Sequence, residues 1–312
     1  MQASRTIHVA REQYHLAWDR SLAPIAHVSS GEIVDFDCLD ASGGQITPDS
    51  TIQTIRELDF SRVDQVNGPI YVEGAEPGDT LQVDLLSLQP GAWGWTAVIP
   101  GFGLLADEFT EPAIKLWELE NGIATFGARI RIPLDPFCGE IGLAPAAPGA
   151  HSTIPPYRHG GNMDTKHLTA GSTLYLPVEV EGALYSMGDG HAAQGDGEVC
   201  GTAIETPMRA SVRLTVRKDL TVPEPQFLTG GPLTPHTNTG AYYVTDGIAP
   251  DLLDATRRAI RHMIDHLQRC YSLSREEAYM LCSTAVDLKI CEVVDAPNWL
   301  VGAFLPQSIF EG

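Results

Sequence analysis

Residues 212–217 read Val-Arg-Leu-Thr-Val-Arg, a stretch in which apolar and polar side chains alternate. A period of two places every second side chain on one face of a β-strand, so the stretch predicts a half-buried strand. The same alternation occurs at Val34, Phe36 and Cys38 and at Leu81, Val83 and Leu85. Turn clusters such as Pro77-Gly78-Asp79 separate these segments. Many short strands with frequent turns predict a β-sandwich or barrel-like body over residues 1–220.

The end of the chain changes from strand patterning to helix patterning. Apolar residues recur at helical spacing from Leu253 to Leu267. Ser274 and Glu277 form a capping box, which predicts the start of a second helix that extends through Leu288. The fold prediction is therefore a mixed, β-rich α+β protein. Its body, residues 1–220, carries the active site, and a C-terminal helical α/β part, residues 221–312, packs on it as one unit.

The composition limits the classes of partner. The chain has 312 residues, of which 43% are hydrophobic, and a formal net charge of −20. Nucleic acids and anionic membranes attract Lys and Arg, so this charge argues against both as partners. No apolar stretch is long enough to span a bilayer, and the first residues lack the apolar region of a signal peptide. Six scattered cysteines without a Cys-X-X-Cys pair predict free thiols in a cytoplasmic protein.

The most informative segment for chemistry is residues 188–205, which read GDGHAAQGDGEVCGTAIE. Asp189, His191 and Glu198 supply carboxylate oxygens and one imidazole, which are ligand types for zinc or a harder divalent cation. The glycines around them let the backbone bend sharply and approach a ligand closely. Asp-Gly pairs are also ordinary in hairpin turns, so a polar turn is the alternative interpretation.

Two more acids stand beside glycines. Asp40 follows the strand predicted at residues 33–39 and precedes Gly43 and Gly44, so its carboxylate points either into a site or into its own turn. Glu140 lies in an apolar, glycine-flanked run, where burial would raise its pKa and suit it to acid–base catalysis. A structural Glu that accepts hydrogen bonds from loop amides is the alternative.

His159 and two cysteines are weaker candidates. His159 precedes two glycines and an aspartate, an arrangement that is also typical of a loop. Cys138 and Cys200 are alternatives as nucleophiles, although buried thiols are usually inert.

Taken together, several segments resemble the acetamidase/formamidase family. The resemblance rests above all on residues 188–205 and further on DASGGQI at 40–46, GEIG at 139–142, HGGNMD at 159–164, AVDL at 285–288 and VDAP at 294–297. It extends over nearly the whole chain. It implies a β-rich fold with a helical C-terminal part, hydrolysis of short carboxamides to acid and ammonia, a cytoplasmic location and a homo-oligomer. Some relatives are metal-dependent, and some act on cyclic amides such as γ-lactams.

The mechanism expected from this resemblance is metal-assisted amide hydrolysis. A divalent cation, zinc or alternatively calcium, would activate water and polarise the amide carbonyl. Asp189 and His191 are the expected ligands, and either Glu198 or Asp40 completes the set.

The remaining roles are expected from residues outside residues 188–205. Glu140 is the expected base and proton shuttle, and His159 would stabilise the oxyanion or protonate the departing ammonia. The backbone amides of Gly43 and Gly44, or the side chain of Gln45, would hold the substrate amide.

Three other functions are open at this point. A hydrolase of cyclic amides would use the same chemistry with a pocket shaped by Trp93, Trp95 and Phe102. A non-catalytic metal-binding or small-ligand-binding protein would need no acid–base group. A metal-free amidase would use Cys200. The apolar tail, residues 299–310, forms either a core strand or a subunit contact, which supports the expected homo-oligomer.

Overall fold

Twenty β-strands and three α-helices occur in the computed structural model, which describes residues 6–127, 129–233 and 240–311. The strands are β1 (Thr6–Val9), β2 (Tyr14–His15), β3 (Ala26–Val28), β4 (Ile33–Cys38), β5 (Val66–Val72), β6 (Thr80–Pro90), β7 (Trp93–Val98), β8 (Ala113–Glu120), β9 (Ile123–Phe126), β10 (Ile130–Pro133), β11 (Phe137–Gly142), β12 (Pro156–Tyr157), β13 (Gly160–Asn162), β14 (Thr173–Pro177), β15 (Tyr185–His191), β16 (Met208–Arg217), β17 (Gln226–Leu228), β18 (Tyr242–Ala249), β19 (Asp287–Glu292) and β20 (Trp299–Pro306). The helices are α1 (Ile52–Arg56), α2 (Leu252–Tyr271) and α3 (Arg275–Ala285).

Two large sheets share the main core. The first has the order β1-β4-β16-β6-β14-β17, and the second has the order β12-β13-β11-β15-β5-β2, with β3 paired to β5. The three strands predicted from alternation, β4, β6 and β16, are neighbours in the first sheet, where Leu214 lies opposite Val83. Their apolar side chains form one buried cluster with side chains of the second sheet such as Ile141 and Tyr185. The predicted β-rich fold is confirmed.

Strand β15 lies inside the second sheet, between β11 and β5. All of its residues are buried, so side chains on both of its faces point into protein rather than into water. The strand ends with Asp189, Gly190 and His191. The fold therefore places two polar side chains in the interior, where each needs a partner.

The C-terminal part packs helices on a small sheet with the order β18-β20-β19. Helix α3 begins with the predicted capping box of Ser274 and Glu277. It ends at Ala285 rather than continuing through Leu288, which lies on β19. The apolar tail forms β20 in the middle of this sheet. A second buried cluster joins residues of α2, α3 and β20 to residues between Val98 and Ile204.

Two further findings concern membrane spans and thiols. Within the described ranges, none of the helices has both the length and the apolar character that crossing a bilayer requires. All six cysteines are free thiols, as predicted, and Cys38, Cys138, Cys200 and Cys282 are buried.

Candidate active site

The candidate site is built around the end of β15. Asp189 and His191 lie on either side of Gly190, and the side chain of each is at most 5% exposed. The facing strand β11 carries Gly139, where a Cβ atom would overlap the carboxylates of Asp189 and Asp164. Glycine at this position therefore leaves the room in which the polar side chains meet.

Three acids from other parts of the chain reach the same point. The Nε2 atom of His191 lies 3.0 Å from Asp189 Oδ2, 3.0 Å from Glu205 Oε2 and 3.9 Å from Glu198 Oε1. Its Nδ1 atom lies 3.9 Å from Asp164 Oδ1. Glu198 and Glu205 come from the loop after β15, and Asp164 comes from the loop after β13. Donor atoms of Asp164, Asp189 and His191, and those of His191, Glu198 and Glu205, lie within 4.8 Å of one another. We call these five residues the donor cluster.

Several oxygens in and behind this cluster are buried without a hydrogen-bond partner. They are Asp164 Oδ1, Asp189 Oδ1, Glu205 Oε2 and both carboxylate oxygens of Glu140. A buried polar atom without a partner costs about 1–3 kcal/mol, and more if it is charged. Buried carboxylate oxygens in this state need either a proton or a positively charged partner.

The pKa values follow from the same crowding. Burial, together with Asp64, Asp189 and Asp164, raises the pKa of Glu140 well above its usual range. Burial also raises the pKa of Glu205 to about 8, although His191 opposes the shift. Burial lowers the pKa of His191, but Asp189 and Glu205 outweigh it, so that pKa lies well above its usual value. The site therefore carries excess negative charge, which a cation or protons must balance.

The backbone of the site is strained. Asp64, Asp164, Asp189 and Glu198 have φ angles of 53°, 43°, 54° and 42°. Left-handed conformations of this kind are uncommon for residues other than glycine and cost roughly 1–3 kcal/mol each. They account for four of the eight such residues in the described part of the chain. Strain concentrated on acids that face one another is typical of a functional site.

All five residues of the donor cluster line a cavity of about 170 Å³. Asp64, which stands just before β5, also lines it. The apolar part of the lining includes Leu58, Phe60, Val63, Trp95, Ile99, Phe102 and Ile154. The arrangement can hold a small molecule with one polar end and one apolar end.

Most of the residues predicted from residues 188–205 meet in this cavity. Asp189, His191 and Glu198 lie together, and Glu140 lies beside them on β11 without lining the cavity. Three acids of the site, Asp64, Asp164 and Glu205, had no role in the predicted set. Asp164 and Glu205 stand inside segments that the prediction used, whereas Asp64 has no motif around it.

Asp40 has a different place from the predicted one. Its Oδ1 accepts hydrogen bonds from Trp95 Nε1 at 2.9 Å and from the Ser42 amide at 3.0 Å. The carboxylate therefore stabilises its own turn and holds the side chain of Trp95, which lines the cavity. It belongs to neither group of candidate cation donors, so the ligand role predicted for it is replaced by a structural one.

The glycine turn after Asp40 is also structural. The Gly43 amide donates to the Asp40 carbonyl at 2.9 Å, and Gln45 exchanges hydrogen bonds with the backbone of Asp59. Gly43, Gly44 and Gln45 are absent from the lining of the cavity. The substrate-binding role predicted for them does not fit this placement.

His159 lies outside the cavity too. Its ring stacks on Tyr157 with the centroids 5.1 Å apart and contacts Trp18 edge-on. Burial lowers its pKa, so the imidazole is held neutral among aromatic rings. The predicted role at the oxyanion is therefore not supported by its position.

The structure also argues against the alternative in which a cysteine thiol is the nucleophile. Burial raises the pKa of Cys138 to about 12 and raises that of Cys200. A thiol nucleophile needs a lowered pKa and access to substrate. Of the aromatic residues expected to shape a pocket, Trp95 and Phe102 line the cavity and Trp93 does not.

Known proteins share this sequence and fold. A profile of the Acetamidase/Formamidase family matches residues 1–148 and 146–312. The formamidase of Methylophilus methylotrophus is 31% identical over 372 aligned positions, which cover 96% of this chain and 90% of that protein. The acetamidase of Mycolicibacterium smegmatis is 30% identical over 256 positions, which cover 61% of this chain and 63% of that protein.

Solved structures agree with the sequence matches. The γ-lactamase from Delftia acidovorans superposes with a TM-score of 0.90 at 28% identity, covering 97% of this chain and 90% of that one. The acetamidase from Bacillus halodurans superposes with a TM-score of 0.69 at 34% identity, covering 96% of this chain and 97% of that one. The chain belongs to the acetamidase/formamidase family and is an amidohydrolase, an enzyme that acts on carbon–nitrogen bonds other than peptide bonds.

Proposed function

We propose that this chain hydrolyses short-chain carboxamides to a carboxylate and ammonia, and that a divalent cation, zinc in the first instance, works in the donor cluster. The observation that carries the proposal is the approach of Asp189 Oδ2 and Glu205 Oε2 to the same nitrogen of His191, each at 3.0 Å. These three residues line a cavity of small-molecule size.

The donor set fits a divalent cation. His191, Asp189 and Glu205 would hold it, with Glu198 and Asp164 near enough to complete the coordination. One imidazole and several carboxylates suit zinc, and an oxygen-rich set also accepts calcium. When bound, such an ion polarises a carbonyl oxygen and acidifies water. It would also balance the unpartnered carboxylate oxygens.

The acids of the chain supply the proton transfers. Glu140 can hold a proton near neutral pH because burial and its acidic neighbours raise its pKa. Asp64, whose charge contributes to that shift, itself lines the cavity, so its carboxyl group can face a bound substrate. In this scheme, the two carboxyl groups take a proton from the attacking water and return one to the leaving nitrogen, which departs as ammonia.

The apolar wall holds the acyl part of the amide and keeps water away from it. Formamide has no alkyl group to bury against this wall, whereas acetamide and larger amides have one. A cavity of about 150 Å³ can hold benzene, so 170 Å³ accepts a molecule of about six heavy atoms. A γ-lactam ring is of this size.

A cyclic amide is therefore the second candidate substrate. The observation in its favour is the TM-score of 0.90 with a protein named γ-lactamase, together with the size of the cavity. Opening of a lactam ring yields an amino acid and releases no ammonia, so the two candidates have different products. A non-catalytic binding protein would release neither product.

The test is a panel of formamide, acetamide, propionamide, butyramide and 2-pyrrolidinone, assayed for ammonia and for ring-opened product with and without added zinc. We expect zinc-dependent release of ammonia, with kcat/KM rising about fourfold for each added methylene until the cavity is full. Ring opening without release of ammonia would favour the cyclic substrate. Neither product from any amide, with zinc present, would refute the proposal.

A matched pair of variants tests the site. Glu205→Gln removes a donor next to His191, whereas Glu179→Gln removes a largely buried carboxylate that pairs with Arg158 instead. We expect Glu205→Gln to bind little zinc and to have a kcat/KM at least 10²-fold below that of the wild type. Glu179→Gln should keep the zinc content and the kcat/KM of the wild type. Equal behaviour of the two variants would contradict the placement of the cation.

A further inference from the structure

Gln194 is a buried amide that follows β15 by three residues and is 6% exposed. It does not line the main cavity. It borders a separate hollow of about 30 Å³, together with Lys166 and Asp287. A substrate in the main cavity therefore has no direct contact with Gln194.

Both polar atoms of the Gln194 side chain form hydrogen bonds. Its Nε2 donates to the backbone carbonyl of Asp164 at 2.8 Å, and its Oε1 lies 2.9 Å from His191 Nδ1. A carbonyl oxygen only accepts, so the bond to Asp164 fixes which end of the amide faces the imidazole. The end that faces His191 is the oxygen, which also only accepts. His191 must therefore carry its hydrogen on Nδ1.

This arrangement decides what Nε2 can do. With Nδ1 protonated, the neutral imidazole presents a lone pair at Nε2. That lone pair faces Asp189 Oδ2 and Glu205 Oε2, each 3.0 Å away. Three electron-rich atoms at this spacing need a positive centre between them, either a proton on Nε2 or a cation.

We infer that Gln194 is a positioning residue, which selects the tautomer of His191 that aims a free Nε2 at the cation; this inference rests on the proposed function. Metal-binding histidines commonly donate their second N–H to an oxygen acceptor in this way. The same amide also holds the backbone of a second donor. The Asp164 peptide is strained, with a φ of 43°, and its carbonyl is tied to Gln194 while its N–H donates to Gly139.

The test compares Gln194→Met with Gln307→Met in the full-length protein. Gln307 is a matched control, because its amide also donates to a backbone carbonyl and accepts from a side chain, but it lies in the 3-10 helix after β20. Zinc affinity is measured by competition with a chelating dye, and kcat and KM are measured for acetamide at saturating zinc. We expect Gln194→Met to bind zinc 10- to 100-fold more weakly and to lower kcat with little change in KM, because Gln194 does not touch substrate. Gln307→Met keeps the wild-type values.

A second variant separates this role from simple loss of folding. Gln194→Glu keeps an oxygen acceptor for Nδ1 but loses the N–H that donates to the Asp164 carbonyl, so it should bind zinc more tightly than Gln194→Met. Zinc affinity in Gln194→Met equal to that of the wild type, or a loss in Gln194→Glu as large as in Gln194→Met, would overturn the role of Gln194. If the wild-type protein itself holds no zinc, the cation site of the proposed function fails and this role fails with it.

Discussion

Replacement of Gly139 by alanine tests whether the space beside the donor cluster is needed. Gly139 does not have a positive φ, so its backbone tolerates alanine. The added methyl group, however, would overlap Asp189 Oδ2 and Asp164 Oδ1 and lie 3.0 Å from His191 Cε1. Optimal contacts begin near 3.5 Å, so both carboxylates must move by roughly 1 Å.

The cost follows from that displacement. A misplacement of about 1 Å can reduce the rate by about 10²-fold, which corresponds to about 2.7 kcal/mol in the activation free energy. Overpacking in a core costs a further 1–3 kcal/mol or so of folding stability. We therefore expect Gly139→Ala to fold, to melt at a lower temperature, and to lose at least 10²-fold in kcat and most of its affinity for zinc.

The assay is release of ammonia at saturating amide, with thermal melting and zinc content measured on the same preparation. Gly240→Ala is the matched control, because a Cβ atom there has its nearest neighbour 4.0 Å away and the backbone is not left-handed. If Gly139→Ala retained normal zinc content and turnover within threefold of the control, the carboxylates beside Gly139 would not be the working groups.

Four other outcomes are expected. His191→Ala should remain folded, judged by circular dichroism, but lose bound metal and activity; full metal content with normal turnover would contradict its assignment. Glu140→Gln should keep the metal and lose about 10²–10⁴-fold in kcat, as expected for a general acid or base, and a loss below threefold would make Glu140 structural. A chelator should abolish activity, with recovery on addition of zinc, whereas a thiol reagent should leave it intact because Cys200 is buried; the reverse pattern would favour thiol chemistry. Light scattering at low concentration should report a mass above that of one chain, and a fully active monomer at micromolar concentration would end the expectation of a homo-oligomer.

The sequence predicts the parts of the site that are close together in the chain. Asp189, His191 and Glu198 stand within ten residues of one another, and their ligand chemistry can be recognised without a fold. Asp64 reaches the same cavity only because β5 pairs with β15, which no local pattern around residue 64 indicates. Asp64 therefore could not be found from motifs, whereas Asp164 and Glu205 lie within quoted motifs and were not selected there.

The direction in which a side chain points was the second feature of the site that the sequence did not predict. Asp40 follows a strand, as predicted, but of its two predicted directions the carboxylate takes the one toward its own turn, where it also accepts a hydrogen bond from Trp95. The end of a strand determines the position of a residue. It does not determine which of several nearby hydrogen-bond donors the side chain contacts. His159 shows the same limit, since its aromatic neighbours come from Tyr157 and from Trp18, far away in the chain.

The boundaries of the helices show a third limit. The capping box marked the start of α3 because both of its hydrogen bonds are local. Just beyond the end of the helix, Asp287 pairs with Lys166 and accepts a hydrogen bond from the Asp196 amide at 3.2 Å. These partners lie far away in the chain, so the apolar pattern that continues to Leu288 gave no sign of the change to a strand.

The left-handed backbone at four acids of the site has a consequence for directed evolution. Glycine at Asp64, Asp164, Asp189 or Glu198 would relieve an unfavourable φ angle. Mutant libraries selected only for heat resistance should therefore accumulate changes at these four positions and yield robust but inactive proteins. Screens for a more stable catalyst therefore need turnover as a simultaneous criterion, because these four strained positions belong to the proposed site.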